Sequence, residues 1–300
     1  MLSLVSLLLG PHVSNALNTL IYGTGSLELR LLAAKFAARG ENNYGAVYAG
    51  EDPRVVKQWR KLMYGQEYAD GGVCAPNNAR LLSSLDELGA GLSAADALLL
   101  VGDSEPLDDS TVELLFRNTA KLSRVVLISR MGVTRAKPPG PFGLGGDDAK
   151  LKDSEAAIRA ASEKLGVDLS IVRVGTLKGG GCGDDGGNAA KEGNVAGLSA
   201  SFYDTLGDTS TYMVACAYDK FTLGAKVSAG DPFDLSNPIV RAGRGGSFEP
   251  FDDETSRVCA AAAAVHALQH PKAVELTVSA AAARELPTEE EWAKLFAEVR

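Results

Sequence analysis

The sequence predicts an α/β fold built on a doubly wound parallel sheet, and three observations support this. Apolar segments of strand length alternate with helical segments over residues 17–176. The segments 97–101 and 124–129 contain uninterrupted apolar runs, as expected for central strands buried on both faces. A Gly-x-Gly turn follows the first strand and precedes the first helix. Right-handed crossovers between such strands give one parallel sheet with helices on both faces.

The N-terminal part divides into alternating strands and helices. The predicted strands are 18–23, 44–49, a short or irregular one within 74–82, 97–101, 124–129 and 169–175. The predicted helices are about 27–39, 53–64, 85–92, 108–122 and 155–165. Asp52 followed by Pro53 is a typical helix start, because the carboxylate accepts free amides and proline needs no amide partner there.

The pattern changes after residue 176. A glycine- and charge-rich loop covers 178–197, and 198–250 contains short apolar segments that we interpret as β-rich, including 211–216 and 226–228. An alanine-rich helix over 253–269, capped by Asp252 or Asp253, precedes a strand at 274–278. Thr288 and Glu291 form a capping box for a last helix. We therefore expect a sheet domain at 17–176, and a smaller C-terminal lobe with completing helices at 177–300.

Composition excludes several kinds of partner and site. The net charge of −8, without a Lys/Arg-rich run, argues against nucleic acid and anionic membrane surfaces. The four cysteines are far apart and lack a Cys-x-x-Cys motif, so we expect reduced, mostly buried thiols. His266 and His270 are four residues apart on a predicted helix, but no third ligand lies nearby, so no metal site is predicted.

Residues 1–16 stand apart from the rest of the chain. An apolar run at 2–9 followed by Ser14, Asn15 and Ala16 is similar to the apolar core and cleavage site of an export or thylakoid-transfer signal. The run is too short for a transmembrane helix, and the basic residues that usually precede such a core are missing. Two interpretations stay open, a targeting remnant and a helix packed on the domain.

The turn after the first strand carries the strongest functional pattern. Gly23 permits a sharp turn, and Gly25 lets the backbone approach a pyrophosphate at the start of the next helix, whose dipole favours anions. Glu28 stands where the third Gly of Gly-x-Gly-x-x-Gly is expected. After the second strand, an acid such as Asp52 suits the ribose of NAD, whereas Arg54 suits the additional phosphate of NADP. Both cofactors stay open.

Together these segments resemble the atypical short-chain dehydrogenases/reductases, in their NAD(P)-binding, NmrA-like branch, which includes many plastid proteins. The matching segments occur in the same order: Tyr-Gly-Thr-Gly at 22–25, Ala-Leu-Leu-Leu-Val-Gly at 97–102, Val-Val-Leu-Ile-Ser-Arg-Met-Gly-Val at 125–133, the helix from Lys152 and Glu155 leading to 166–175, and the late helix with Asp253 and Val258. The resemblance covers most of the chain and is weakest over 178–250. It implies a Rossmann-like fold and NAD or NADP as cofactor.

The resemblance also implies which residues contact the cofactor. Those expected at the pyrophosphate and adenosine are Gly23, Thr24, Gly25, Ser26, Leu27, Asp52, Arg54, Val101 and Gly102. Those expected near the nicotinamide are Ser129, Lys152 and Val174, and of these Ser129 and Lys152 are the candidate catalytic residues. Val174 with Gly175 replaces the Pro-Gly pair that is usual in the family.

The sequence departs from active members of the superfamily at the catalytic acid. Those enzymes use Tyr-x-x-x-Lys, in which the lysine lowers the pKa of the tyrosine that transfers a proton. Here Asp148 lies four residues before Lys152, and no tyrosine lies between Arg124 and Phe202. A tyrosine of the C-terminal lobe could supply the proton from across the cleft; the candidates are Tyr203, Tyr212 and Tyr218.

Three functions therefore stay open. The first is an NAD(P)-binding reductase acting on a small-molecule carbonyl, alkene or quinone. The second is a non-catalytic NAD(P)-sensing scaffold or assembly factor that binds a protein partner, for example for plastid complexes. The third is a fold that binds no nucleotide because Glu28 occupies the pocket. The resemblance and the segment 1–16 predict a plastid location, with a soluble cytoplasmic protein as the alternative.

Overall fold

A computed structural model describes residues 17–39, 43–64, 69–72, 78–117, 119–136, 146–180, 209–232 and 253–299. The strands are β1 (Asn18–Gly23), β2 (Tyr44–Tyr48), β3 (Ala79–Leu82), β4 (Ala97–Val101), β5 (Arg124–Arg130), β6 (Asp168–Val174), β7 (Thr176–Lys178), β8 (Gly224–Ala229), β9 (Glu254–Ser256) and β10 (Glu275–Ala281). The helices are α1 (Leu27–Ala37), α2 (Pro53–Tyr64), α3 (Leu85–Ala94), α4 (Asp109–Arg117), α5 (Gly146–Leu165), α6 (Thr209–Asp219), α7 (Arg257–Gln269) and α8 (Glu289–Glu298). The predicted targeting remnant at 1–16 lies outside the described residues.

Eight strands form one sheet in the order β3-β2-β1-β4-β5-β6-β10-β8. All neighbouring strands are parallel except β8, which runs antiparallel to β10. The strand order reverses between β1 and β4, and a ligand crevice forms at such a point outside the carboxyl ends of the strands. β7 and β9 form a separate parallel pair immediately after β6. The predicted doubly wound, Rossmann-like α/β fold is confirmed.

Helices cover both faces of the sheet. One face packs against α1 and α7, with Trp59 from α2 and the aromatic rings of Trp292 and Phe296 from α8. The other face packs against α3, α4 and α5. β4 is buried along its whole length, as its uninterrupted apolar run predicts. Because α7 packs directly on α1, the C-terminal part of the chain belongs to the same core.

One predicted element type was wrong. Residues 211–216 were expected to be β-rich, but they lie within the helix α6. Their Thr, Tyr and Val side chains favour strands only weakly, and packing of one helix face, here through the buried Ala215, overrides such preferences. The strand expected at 226–228 is confirmed within β8.

Two predicted helix starts were also wrong. α5 begins at Gly146 rather than near residue 155. The prediction started too late because the first turns of this helix carry exposed polar residues, which resemble a loop in the sequence. The alanine-rich helix begins at Arg257 after Ser256, and the preceding three residues pair with β7 as strand β9. Asp253 therefore does not cap this helix. Its carbonyl accepts the amide of Thr176 at 2.8 Å. Asp252 lies outside the described residues.

Two predicted helix caps are confirmed. Asp52 Oδ1 accepts the amide of Arg54 at 2.9 Å at the start of α2. Thr288 and Glu291 form the complete capping box of α8.

The cysteines gave a mixed result. Cys259 is buried and free, as expected. Cys216 is disulfide-bonded, so the expectation of a reduced thiol was wrong there. The spacing of cysteines along a chain does not show which of them meet in the fold.

Two kinds of feature are absent from the described part of the chain. None of its helices combines the length and the apolarity needed to cross a membrane. Nor do its His, Cys, Asp and Glu residues include a group of three or more that could hold a metal ion.

Candidate functional site

The turn between β1 and α1 lies directly beside the end of β4. The amide of Gly25 donates to the carbonyl of Val101 at 3.2 Å, and Thr24 Oγ1 donates to the carbonyl of Glu105 at 2.8 Å. A Cβ atom on Gly23 would collide with the carbonyl oxygen and the Cβ of Val101. The two backbones thus approach too closely for a side chain at position 23, which explains the first glycine of the motif.

The first turn of α1 holds one carboxylate of its own. Ser26 is the N-cap, and its hydroxyl accepts the amide of Leu29 at 3.4 Å while donating to Glu28 Oε2 at 3.0 Å. Glu28 therefore lies at the positive end of the helix dipole, where a carboxylate is stabilised. The residue that replaces the third glycine is bonded to the cap.

A second carboxylate reaches the same turn from the loop after β4. Asp103 Oδ1 accepts the amide of Ser26 at 3.0 Å, and a Cβ atom on Gly25 would collide with this oxygen. Asp103 is only 8% exposed. Burial raises the pKa of its carboxyl group, while the Ser26 amide and the positive charge of Arg257 act in the opposite direction. Sequence analysis missed Asp103, although an acid immediately after a central strand at the switch point was a usable indication.

A partly buried arginine supports the turn from α1. Arg30 Nη1 donates to the carbonyl of Gly23 at 2.8 Å, and its guanidinium lies 5.1 Å from the ring centroid of Trp59. Burial lowers the pKa of Arg30, and the nearby carboxylates, Asp103 foremost, raise it. Arginine stays charged under all ordinary conditions, so this side chain provides a fixed positive charge beneath the turn.

The residues expected at the adenosine ribose bind each other. Arg54 Nη2 lies 3.4 Å from Asp52 Oδ2, and the Arg54 side chain is 92% exposed. The amide and the guanidinium of Arg54 lower the pKa of Asp52. Closer to the sheet, Val101 is buried at the end of β4, and the amide of Gly102 donates to the carbonyl of Ile128 at 3.0 Å. All four lie at the carboxyl edge, beside the β1–α1 turn or after β2.

The residues expected near the nicotinamide are only partly brought together. Ser129 is buried near the end of β5, in register with Arg173 of β6. Val174 ends β6, and its carbonyl accepts the amide of Met131 at 2.8 Å. Lys152 is exposed on α5, next to the buried Leu151.

The position of the missing tyrosine is occupied by an ion pair. Asp148, four residues before Lys152, lies 3.2 Å from Arg130 Nη1 at the end of β5. Aspartate lacks the phenolic hydroxyl that the tyrosine of active members uses as proton donor.

A cluster that sequence reasoning identified only in part lies after β6. Lys178 Nζ forms an ion pair with Glu254 Oε1, and Tyr218 donates its hydroxyl to Glu254 Oε2 at 3.1 Å. The ammonium of Lys178 lies 5.8 Å from the ring centroid of Tyr218. Burial, followed by the charge of Glu254, raises the pKa of Tyr218, so its hydroxyl stays protonated at neutral pH. Tyr203 lies outside the described residues, and so does the side chain of Tyr212.

Arg257 connects the tyrosine cluster with the β1–α1 turn. Its Nη1 donates to the carbonyl of Gly179 at 2.9 Å, next to Lys178, and its charge acts on Asp103. Asp219, adjacent to Tyr218, accepts the amide of Gly180 at 2.7 Å. The turn and the cluster therefore lie on the same edge of the sheet.

No protein-family model and no curated protein matches the chain. Solved structures are similar to it in fold. A short-chain dehydrogenase/reductase from Veillonella parvula, in complex with NADP, gives a TM-score of 0.47 at 10% identity, over 87% of this chain and 94% of that chain. The terminal R domain of the myxalamid PKS-NRPS pathway gives 0.48 at 16% identity, over 95% and 70% of the two chains. UDP-N-acetylglucosamine 4-epimerase from Bacillus cereus gives 0.41 at 11% identity, over 92% and 82%. At these identities the similarity concerns the fold alone.

Proposed function

We propose that the chain binds NAD or NADP in the crevice between β1 and β4 and is an oxidoreductase-like protein. The observation that supports this most is the β1–α1 turn at the reversal of the strand order, where Gly23 and Gly25 contribute no side chains of their own at the start of α1. In sheets of this type the pyrophosphate of a dinucleotide binds at that turn, on the amides of the following helix. Thr24, Ser26 and Leu27 complete the proposed pyrophosphate site.

A direct test is titration of the purified protein with NADPH and, separately, NADH, following cofactor fluorescence and the thermal unfolding midpoint. We expect saturable binding of one of them together with a raised midpoint, because a ligand that binds only the folded state stabilises it, by about 2.7 kcal/mol at roughly a hundred times Kd. A flat titration with both cofactors and an unchanged midpoint contradict nucleotide binding by the wild-type protein.

If the bound cofactor supplies hydride, the chain must supply the proton, and Tyr218 is the residue that we propose for this step. Glu254 fixes the hydroxyl of Tyr218 at 3.1 Å on the edge that carries the β1–α1 turn, and the ammonium of Lys178 lies 5.8 Å from the ring centroid of Tyr218. Tyr218→Phe is expected to lower reduction of carbonyl, alkene or quinone substrates by about a hundredfold or more while leaving the Kd for cofactor unchanged. Tyr44→Phe, on β2 and partly exposed, is the matched control. Equal turnover of both variants argues against Tyr218.

The second candidate is a non-catalytic NAD(P)-sensing scaffold or assembly factor. The Asp148–Arg130 ion pair favours it, because the position of the tyrosine that active short-chain reductases use for proton transfer holds a residue without a phenolic hydroxyl. In that case no substrate is turned over, and cofactor changes the affinity for a protein partner instead. A role in plastid complexes, a plastid location and membership of the NmrA-like branch stay predictions; imaging of the tagged full-length chain tests the location.

A further inference from the structure

We propose that Asp103 competes with the phosphates of the dinucleotide for the start of α1, so that cofactor binds when this carboxylate is neutral or displaced. The inference rests on the proposed nucleotide binding and adds a control of that same site by protonation.

The competition follows from which groups the carboxylate already occupies. Asp103 Oδ1 accepts the amide of Ser26, one of the residues expected at the pyrophosphate. The same oxygen packs so closely on Gly25 that a Cβ atom there would collide with it. The side chain therefore fills the space that the second glycine of the motif leaves open for a phosphate. An anion of the chain itself lies where the anion of the ligand is expected.

The charges around Asp103 come from several elements. Arg30 from α1 and Arg257 from α7 are the positive groups, while Glu28 from α1 and Glu105 from the loop after β4 are negative. Tyr22 on β1 is the further titratable group near Arg30. Two positive charges thus face three carboxylates before any ligand binds. A pyrophosphate adds negative charge at short range in a poorly solvated site, where like charges repel strongly.

Protonation of Asp103 removes this conflict. A neutral carboxyl group carries no charge and can donate its O–H to a phosphate oxygen. Burial already raises the pKa of Asp103, and a bound pyrophosphate raises it further. Affinity for the dinucleotide therefore increases as the pH falls through the pKa of Asp103, and binding is accompanied by proton uptake.

The experiment measures the Kd for NAD⁺ and NADP⁺ by calorimetry, from neutral to mildly acidic pH, for wild type and three variants. Asp103→Asn removes the charge and keeps an acceptor for Ser26, whereas Asp103→Ala vacates the space. Asp86→Asn, exposed on α3, removes one negative charge elsewhere. The pH dependence is read from NAD⁺ alone, because the additional phosphate of NADP⁺ itself titrates at about pH 6.

We expect Asp103→Asn to bind the dinucleotide at least about tenfold more tightly than wild type at neutral pH, in line with charge-assisted bonds at this amide. Its affinity is expected to be independent of pH, and wild type is expected to approach it as the pH falls; Asp86→Asn behaves as wild type. If an Asp103 variant binds the dinucleotide and the wild type does not, both proposals are supported. Equal, pH-independent binding by all four proteins overturns the competition and leaves nucleotide binding intact. No binding by any protein, with unchanged unfolding midpoints, overturns both.

Discussion

Replacing Arg173 by leucine is expected to destabilise the folded state by about 3–5 kcal/mol, the usual cost of removing one partner from a buried ion pair. Arg173 is 1% exposed in the middle of the sheet. Its Nη2 lies 2.7 Å from Glu155 Oε1 of α5 and 3.4 Å from Glu275 Oε2 of β10. Without the guanidinium, the carboxylate of Glu155 stays buried with its charge uncompensated. Urea unfolding at neutral pH measures the loss.

Two companion variants make this test specific. Arg159→Leu removes a guanidinium 2.7 Å from the same Glu275, but on the surface, so we expect a cost of only about 0–1 kcal/mol. Arg173→Leu combined with Glu155→Leu is expected to regain most of the stability, because no unpaired charge remains. If Arg173→Leu costs no more than Arg159→Leu, the buried pair is not the cause.

The pH dependence follows from Glu155. Burial raises the pKa of this carboxyl group, even though Arg173 acts in the opposite direction. Removing Arg173 raises the pKa further, so Glu155 destabilises the variant at pH values above this pKa. As the pH falls below this pKa the group becomes neutral in the folded state and the penalty declines, and it is gone once the pH is below the pKa of glutamate in the unfolded chain. The deficit of Arg173→Leu relative to wild type therefore shrinks as the pH falls.

Gly23→Ala is expected to cost about 1–3 kcal/mol of stability and to abolish nucleotide binding. The added methyl group collides with the backbone carbonyl of Val101, and β4 is held on both sides by β1 and β5, so this carbonyl has no room to move. Relief requires that the β1–α1 turn shift away from β4. Urea unfolding and the cofactor titration measure the two effects.

Two other glycines separate stability from binding. A Cβ atom on Gly45 of β2 would lie 2.5 Å from the carbonyl oxygen of Ala34, so Gly45→Ala is expected to destabilise the fold while leaving cofactor affinity unchanged. Gly89 of α3 has nothing within 4 Å of such an atom, and Gly89→Ala is expected to stabilise by about 0.5–1 kcal/mol. If Gly45→Ala weakens binding as much as Gly23→Ala, the turn has no special role.

Local patterns predicted the frame of the molecule. The uninterrupted apolar run predicted β4, because a strand covered on both faces needs apolar side chains throughout. The glycines predicted the β1–α1 turn, because two backbones that approach closely leave no room for side chains. α6 was missed because its β-favouring residues carry only a weak preference, which packing overrides.

Local patterns did not predict the contacts that polar side chains make between distant segments. Asp103 bonds to Ser26 across 77 residues of sequence, and no local pattern encodes such a contact. Arg173 resembles an interruption of an apolar strand until Glu155 on α5 is placed against it. For Lys152, similarity to a family gives the helix but not the side of the helix on which the residue lies. Contacts between distant segments therefore required the structure.

The position of β10 determines when this protein can complete its fold during synthesis. β10 follows every other strand of the sheet in the chain, yet it lies between β6 and β8. α7, made just before it, covers the apolar side of α1. A growing chain that already contains the β1–α1 turn thus exposes an apolar helix face and an unpaired strand edge on the ribosome, a state prone to aggregation. Completion of the fold around the β1–α1 turn is therefore expected to be a late, post-translational event that benefits from chaperones.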